Sequence, residues 1–122
     1  MNARGIIELY WRYANARQWD DFSSLLDPNV VYEVPQTRER VQGREAYREF
    51  NVTYPEGWTA VVTSLISEGD QGVSVIDFNI NGEVATGISF FSLSQGLITK
   101  IVDYWPEAYE PPHRNTKYVE RY

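Results

Sequence analysis

The sequence predicts an α+β domain, with helices first and an antiparallel sheet after them. Two observations carry this. Apolar residues recur at helical spacing over the first third of the chain. From Trp58 onward they fall in long β-forming runs broken by tight-turn residues. A length of 122 residues suits one domain with one sizeable core. We read residues 1–122 as that domain, with 106–122 an irregular C-terminal tail that holds three of the six prolines.

Ile6, Ile7, Tyr10, Trp11 and Ala14 form one apolar stripe and predict the first helix. Trp19, Phe22, Leu25 and Leu26 share a face of a second, short helix. Asp20 and Asp21 near its start suit the helix dipole, and Asp27-Pro28-Asn29 stops it. Val30 to Val34 reads as a strand ended by Pro35. Gln36 to Gln42 is polar, a loop or a short hairpin. Gly43 precedes a third helix, from Arg44 to about Phe50, with Ala46, Tyr47 and Phe50 on its inner side. Tyr54-Pro55-Glu56-Gly57 is turn chemistry.

Trp58–Ser67, Gly72–Ile80, Glu83–Leu93 and Leu97–Trp105 read as strands. They are separated by Glu68-Gly69-Asp70, Asn81-Gly82 and Ser94-Gln95-Gly96. Asn-Gly is a strong hairpin signal, and strands so joined make an antiparallel meander. Each helix has one apolar stripe to bury, so the helices must cover one face of the sheet. On the second of these strands Ser74, Ile76, Phe78 and Ile80 share one side, and Val73, Val75, Asp77 and Asn79 share the other. Both sides carry apolar residues. That predicts a second cover, a homodimer through the outer sheet face. Tyr118 to Tyr122 either docks or adds a brief helix.

Composition narrows the chemistry. Lys and Arg number 11 against 17 Asp and Glu, a formal net charge of -6. This balance argues against a nucleic-acid or anionic-membrane partner. With no cysteine, disulfides and thiolate nucleophiles are out. His113 is the only histidine, which removes any two-histidine metal site. No metal and no cofactor are expected. The N-terminus lacks the apolar stretch of a secretion signal, so the cytoplasm is the expected location and Asn51-Val52-Thr53 is a chance match to a glycosylation acceptor.

Asp27-Pro28-Asn29-Val30-Val31-Tyr32-Glu33-Val34-Pro35, Gly43-Arg44-Glu45-Ala46 and Gly96 to Pro106, together with the Pro-Pro tail, resemble the SnoaL-like branch of the nuclear transport factor 2-like superfamily. The resemblance covers nearly the whole chain. It implies a cone-shaped curved sheet wrapped around the N-terminal helices, with a deep internal cavity. That superfamily hosts isomerases, cyclases, dehydratases, epoxide hydrolases and adaptors, so function must be argued from the cavity.

Laid beside the ketosteroid isomerases of the superfamily, Tyr10 falls on their oxyanion tyrosine. Val34 falls on the aspartate that moves the proton, Ile88 near their second aspartate, and Trp105 on an active-site tryptophan. Both carboxyl groups are lost, so the same residues cannot run that mechanism. A scytalone dehydratase-like reading would need cavity histidines. An epoxide hydrolase-like reading would need an arginine on the last four strands, where Lys100 is the only cation.

Strand alternation puts Ile101, Asp103 and Trp105 on one side. Asp103 is then a cavity carboxylate among Tyr32, Val34, Ile88, Phe90 and Trp105. Two roles are open for it: general acid/base with Tyr10 stabilising an oxyanion, or a structural group that only shapes the cavity. Asp77 and Glu33 are expected to face outward, Glu33 pairing with Arg38, Arg40 or Arg44. Trp19 packs in the core or against a ligand, Phe78 points inward, and Tyr13, Tyr54 and Trp58 are candidates for the cavity mouth. Two functions follow as expectations. One is binding of a small, mostly apolar molecule, with cofactor-free isomerase- or polyketide-cyclase-like chemistry. The other is a non-catalytic, dimeric interaction module.

Overall fold

Asn2 starts the first helix by accepting the Gly5 amide proton at 2.9 Å, a side-chain cap for a donor the helix cannot use. Helix α1 runs Ala3–Asn15 and buries Ala3, Ile6, Ile7, Tyr10, Trp11 and Ala14, the stripe expected from the sequence. Helix α2 is shorter than its apolar pattern suggested, Trp19–Ser24. Leu26 and the Asp27-Pro28-Asn29 segment belong instead to strand β1, Leu26–Val34. The register of β1 shifts between Leu26 and Val31, so the proline sits at an irregularity. Strand β2, Glu39–Gln42, folds back on β1, which resolves the polar stretch as a hairpin. Helix α3 follows, Arg44–Val52. It buries Tyr47 and leaves Ala46 exposed, contrary to expectation.

The computed structural model describes residues 1–122. Strands β3 (Trp58–Glu68), β4 (Gln71–Ile80), β5 (Glu83–Ser94) and β6 (Leu97–Tyr104) form the expected meander. The order across the sheet is β2-β1-β6-β5-β4-β3, with β1 and β6 parallel and all other neighbours antiparallel. The β4–β5 turn takes positive φ at both Asn81 and Gly82, the twist-matched geometry of a two-residue hairpin. One face of the curved sheet carries the helices and the core. The other is solvent-facing, with Val61, Ile66, Phe90 and Tyr104 exposed. There Glu33 pairs with Arg40, as expected, and also with Lys100. No helix is long and apolar enough to cross a membrane.

Two side-chain amides tie the ends of this sheet. Asn15, at the end of α1, donates to the Ala60 carbonyl and accepts from the Ala60 amide, both at 2.8 Å. β3 is an edge strand, so Asn15 occupies backbone groups that no neighbouring strand reaches. At the other end Gln36 donates to the Trp105 carbonyl at 3.0 Å and accepts from the Trp105 amide. That bond pair continues the β1–β6 pairing one residue past β6. Beyond it residues 106–122 are exposed and irregular, and Tyr118 to Tyr122 neither docks nor forms a helix.

Removing the first tie is a direct test. Asn15→Ala should destabilise the domain by about 1–3 kcal/mol, since two partly buried backbone groups lose their partner. The urea midpoint measures it. A midpoint equal to wild type would show that the tie carries no stability.

Candidate functional site

The site is built where α1, α3 and β1 face the inner side of β4, β5 and β6. A cavity of about 230 Å³ opens there. Tyr10 from α1, Tyr32 and Val34 from β1, Phe78 from β4, and Asp103 and Trp105 at the end of β6 all line it, and Trp58 closes it from β3. These are seven of the residues expected from the sequence. Five others lie elsewhere. Ile101 is fully buried in the core. Trp19 packs edge-on against Phe22, and Tyr13 packs on the core without reaching the cavity.

Ile88 and Phe90 correct the expected register. Both face outward, and the Phe90 ring meets Tyr104 edge-on at 5.8 Å on the outer side. Gly87, Ser89, Phe91 and Leu93 hold the inner side of β5. The reason lies in the hairpin. A two-residue turn at Asn81-Gly82 pairs Ile76 with Gly87 and Ser74 with Ser89. Directly paired residues share a face, so the inward set on β4 dictates the inward set on β5. The signal was therefore present in the sequence. Asp77 pairs with Thr86 on the outer side, as expected.

Gly87 has a second role. A Cβ there would stand 2.9 Å from Cζ3 of Trp105 and 3.1 Å from Cγ1 of Ile76. The bare backbone leaves room for the indole against β5 at the cavity wall.

Asp103 is only 7% exposed. Its Oδ1 accepts from the Ser89 hydroxyl and its Oδ2 from the Tyr32 hydroxyl, each at 2.6 Å. Burial pushes its pKa above the ordinary aspartate value, and the Ser89 and Tyr32 hydrogen bonds pull back part of that shift. A second polar pair stands beside it: the Tyr10 and Tyr47 hydroxyls are 2.5 Å apart. Burial first, and the negative charge of Asp103 after it, hold the Tyr32 and Tyr47 phenols well above their usual pKa. Tyr10 is raised as well, by burial and then by Tyr47 and Asp103. All three phenols are protonated at neutral pH.

A proton count then gives the chemistry. The four hydroxyls of Tyr10, Tyr32, Tyr47 and Ser89 carry four protons. Three are used, two on Asp103 and one between Tyr10 and Tyr47. The phenol that accepts in the Tyr10–Tyr47 pair keeps an O–H that no protein group accepts, and both residues line the cavity. Each Asp103 oxygen also keeps a lone pair. The cavity thus offers one carboxylate acceptor and one phenol donor, surrounded by rings. No group of three His, Cys, Asp or Glu side chains comes together to hold a metal ion.

The sequence reading missed Tyr47 and Ser89 as site residues. Tyr47 was visible as an inward residue of α3, without a hint that its hydroxyl meets that of Tyr10. Phe50 and Asn51 of α3, Tyr54 beyond it, and Thr37 and Glu39 at the β1–β2 hairpin complete the mouth. The Tyr32 and Tyr47 rings stack at 4.7 Å and Tyr47 stacks on Phe50 at 6.1 Å, so α3 extends the aromatic wall outward.

Comparison with known proteins agrees with this fold. The family model of the SnoaL-like domain matches residues 7–101. A proposed ketosteroid isomerase from Kribbella flavida is 38% identical, with a TM-score of 0.93 over 98% of this chain and 89% of that one. A nuclear transport factor 2-like protein of unknown function from Burkholderia xenovorans is 20% identical, with a TM-score of 0.80 over 98% of this chain and 94% of that one. A proposed polyketide cyclase from Sinorhizobium meliloti is 19% identical, with a TM-score of 0.72 over 81% of this chain and 93% of that one. Among curated proteins none matches. The chain belongs to the SnoaL-like family, on a nuclear transport factor 2-like fold.

The raised pKa of Asp103 fixes the sign of a stability change. Below about pH 4 the carboxyl is protonated in folded and unfolded chains alike. Above that, the unfolded chain ionises first, so the folded state loses stability until pH passes the folded pKa. Asp103→Asn has no such titration, and its amide can accept from one hydroxyl and donate to the other. The stability of wild type relative to Asp103→Asn should therefore fall as pH rises from about 4. Urea midpoints across pH measure it, and a difference that grows with pH would contradict the burial argument.

Proposed function

We propose that this member of the SnoaL-like family binds a small, mostly apolar molecule in its internal cavity and moves a proton on it without a cofactor. The observation that carries the reading is the pairing of a buried carboxylate with a spare phenol O–H in one ring-lined cavity. The chemistry that suits this pair is proton abstraction next to a carbonyl. Ionised Asp103 takes the proton from carbon, and electrons move onto the carbonyl oxygen. The free O–H of the Tyr10–Tyr47 pair holds the oxyanion that forms. Return of the proton to a different carbon gives an isomerase. Attack of the enolate carbon on a second carbonyl of the same molecule gives a cyclase.

The phenol pair adds to what a lone tyrosine does for an oxyanion, because each hydroxyl orients the other. Tyr47 orients Tyr10, or the reverse, and the bond between them leaves the second phenol proton for a ligand. An open cavity with Asp103 on its wall supports this reading over a purely structural adaptor, whose interior its own side chains would fill. The outer sheet face supports a homodimer: Ile66 is 70% exposed and Phe90 46%, on one side of the sheet with Val73 between them.

Four measurements test the proposal. With a carbonyl ligand identified by thermal shift, Asp103→Asn should lower turnover about 10²–10⁴-fold while the ligand still binds. Unchanged turnover would remove Asp103 from the chemistry. The acid limb of the wild-type rate profile should lie above the ordinary aspartate pKa, because the base must be ionised. Tyr10→Phe and Tyr47→Phe should each keep one phenol proton, so the double variant should lose more than either single one. Sedimentation should give a dimer that Phe90→Asp weakens, and a monomer at high concentration would rule out pairing through this face.

A further inference from the structure

The lining of the cavity has a charge bias as well as a shape. Asp103 lies on its inner wall and Glu39 at its mouth, and no lysine, arginine or histidine lines it. Asp103 takes part in none of the ion pairs of the molecule. Those involve Arg4, Arg40, Arg44, Arg48, Lys100 and Arg121 with other acids. A carboxylate buried to this depth without a counter-ion keeps a costly charge, since two hydroxyl bonds replace only part of its hydration. Its negative potential is directed into the cavity, where no protein cation answers it.

The rings add to the same field. Tyr32, Tyr47 and Phe50 present one aromatic wall, and Phe78 and Trp105 meet edge-to-face at 5.4 Å on the other. Aromatic faces are the negative ends of ring quadrupoles and attract cations, most strongly out of water. Arg17 lies 3.8 Å over the cavity-lining Trp58. Its guanidinium is held by the carbonyls of Ala14, Asn15 and Trp58. Arg17 therefore covers the Trp58 ring, on which Phe78 also stacks at 5.4 Å.

We propose that the molecule this cavity takes carries a positive charge, a protonated or quaternary amine on an apolar body. The inference rests on the ligand-binding reading of the cavity above and adds the class of ligand. The cation supplies the counter-ion that Asp103 lacks, and the rings pack against its alkyl groups. An anionic ligand would meet two carboxylates and no cation.

The test uses tryptophan fluorescence, since Trp11, Trp58 and Trp105 all line the cavity. Three probes of similar size are titrated at neutral pH: benzyltrimethylammonium, its neutral carbon isostere neopentylbenzene, and the anion phenylacetate. The cation should bind at least about tenfold tighter than the isostere, with phenylacetate weakest. Asp103→Asn should bring the cation back toward the isostere. Glu39→Gln, an exposed change that leaves the core intact, should reduce the preference by a smaller factor and keeps the test available if Asp103→Asn does not fold. Equal or tighter binding of the isostere overturns the inference and leaves the apolar cavity reading standing. Binding of none of the three overturns both.

Discussion

A carboxylate on the concave face of the sheet sets the terms for everything around it. Asp103 cannot stay ionised in a wholly apolar interior, because desolvation would cost several kcal/mol. The fold meets this with two hydroxyls, one from β5 and one from β1, each 2.6 Å from a different carboxylate oxygen. Those bonds require Ser89 to be small and inward and Tyr32 to lie along the cavity wall. Tyr32 in turn stacks on Tyr47, and Tyr47 meets Tyr10. One buried acid therefore accounts for the placing of side chains on α1, α3, β1, β5 and β6.

The shape that holds this cluster depends on backbone groups as much as on the core. Asn15 closes one edge of the sheet onto α1, and Gln36 holds the chain after β6 against the β1–β2 turn. Each uses a side-chain amide as a substitute peptide, donating and accepting at once. Gln36 fixes the backbone of Trp105, while Gly87 leaves room for its ring. The ring position is thus set from two directions before any ligand arrives. A wall fixed in this way is the preorganisation that the proposed binding and proton transfer call for.

The fold was legible because its signals are local. The stripe Ile6, Ile7, Tyr10, Trp11, Ala14 needs only helical periodicity to be read, and Asn81-Gly82 needs only turn chemistry. The candidate site was legible in part. Asp103 and Trp105 share a side by simple alternation, and the structure places both on the cavity wall. Ile88 and Phe90 lie on the outer side because the hairpin register sets the faces of β5, which the likeness of Ile88 to an isomerase aspartate position does not report. Hydrophobicity does not tell the two faces of this strand apart, since both faces carry apolar residues and the outer one exposes Phe90.

By itself the sequence determined the class of fold, the order of nearly every element, and the carboxyl and phenol chemistry left once cysteine and paired histidines are absent. It also determined that one acid, Asp103, would sit on the tryptophan side of the last strand. Only the tertiary structure decided that Ser89, Tyr32, Tyr10 and Tyr47 converge on that acid. The physical reason is distance along the chain. Tyr32 lies 71 residues from Asp103 and Tyr10 lies 37 from Tyr47. Periodicity and turn rules act over a few residues. Contacts at such separations are set by how a twisted sheet and three helices pack together.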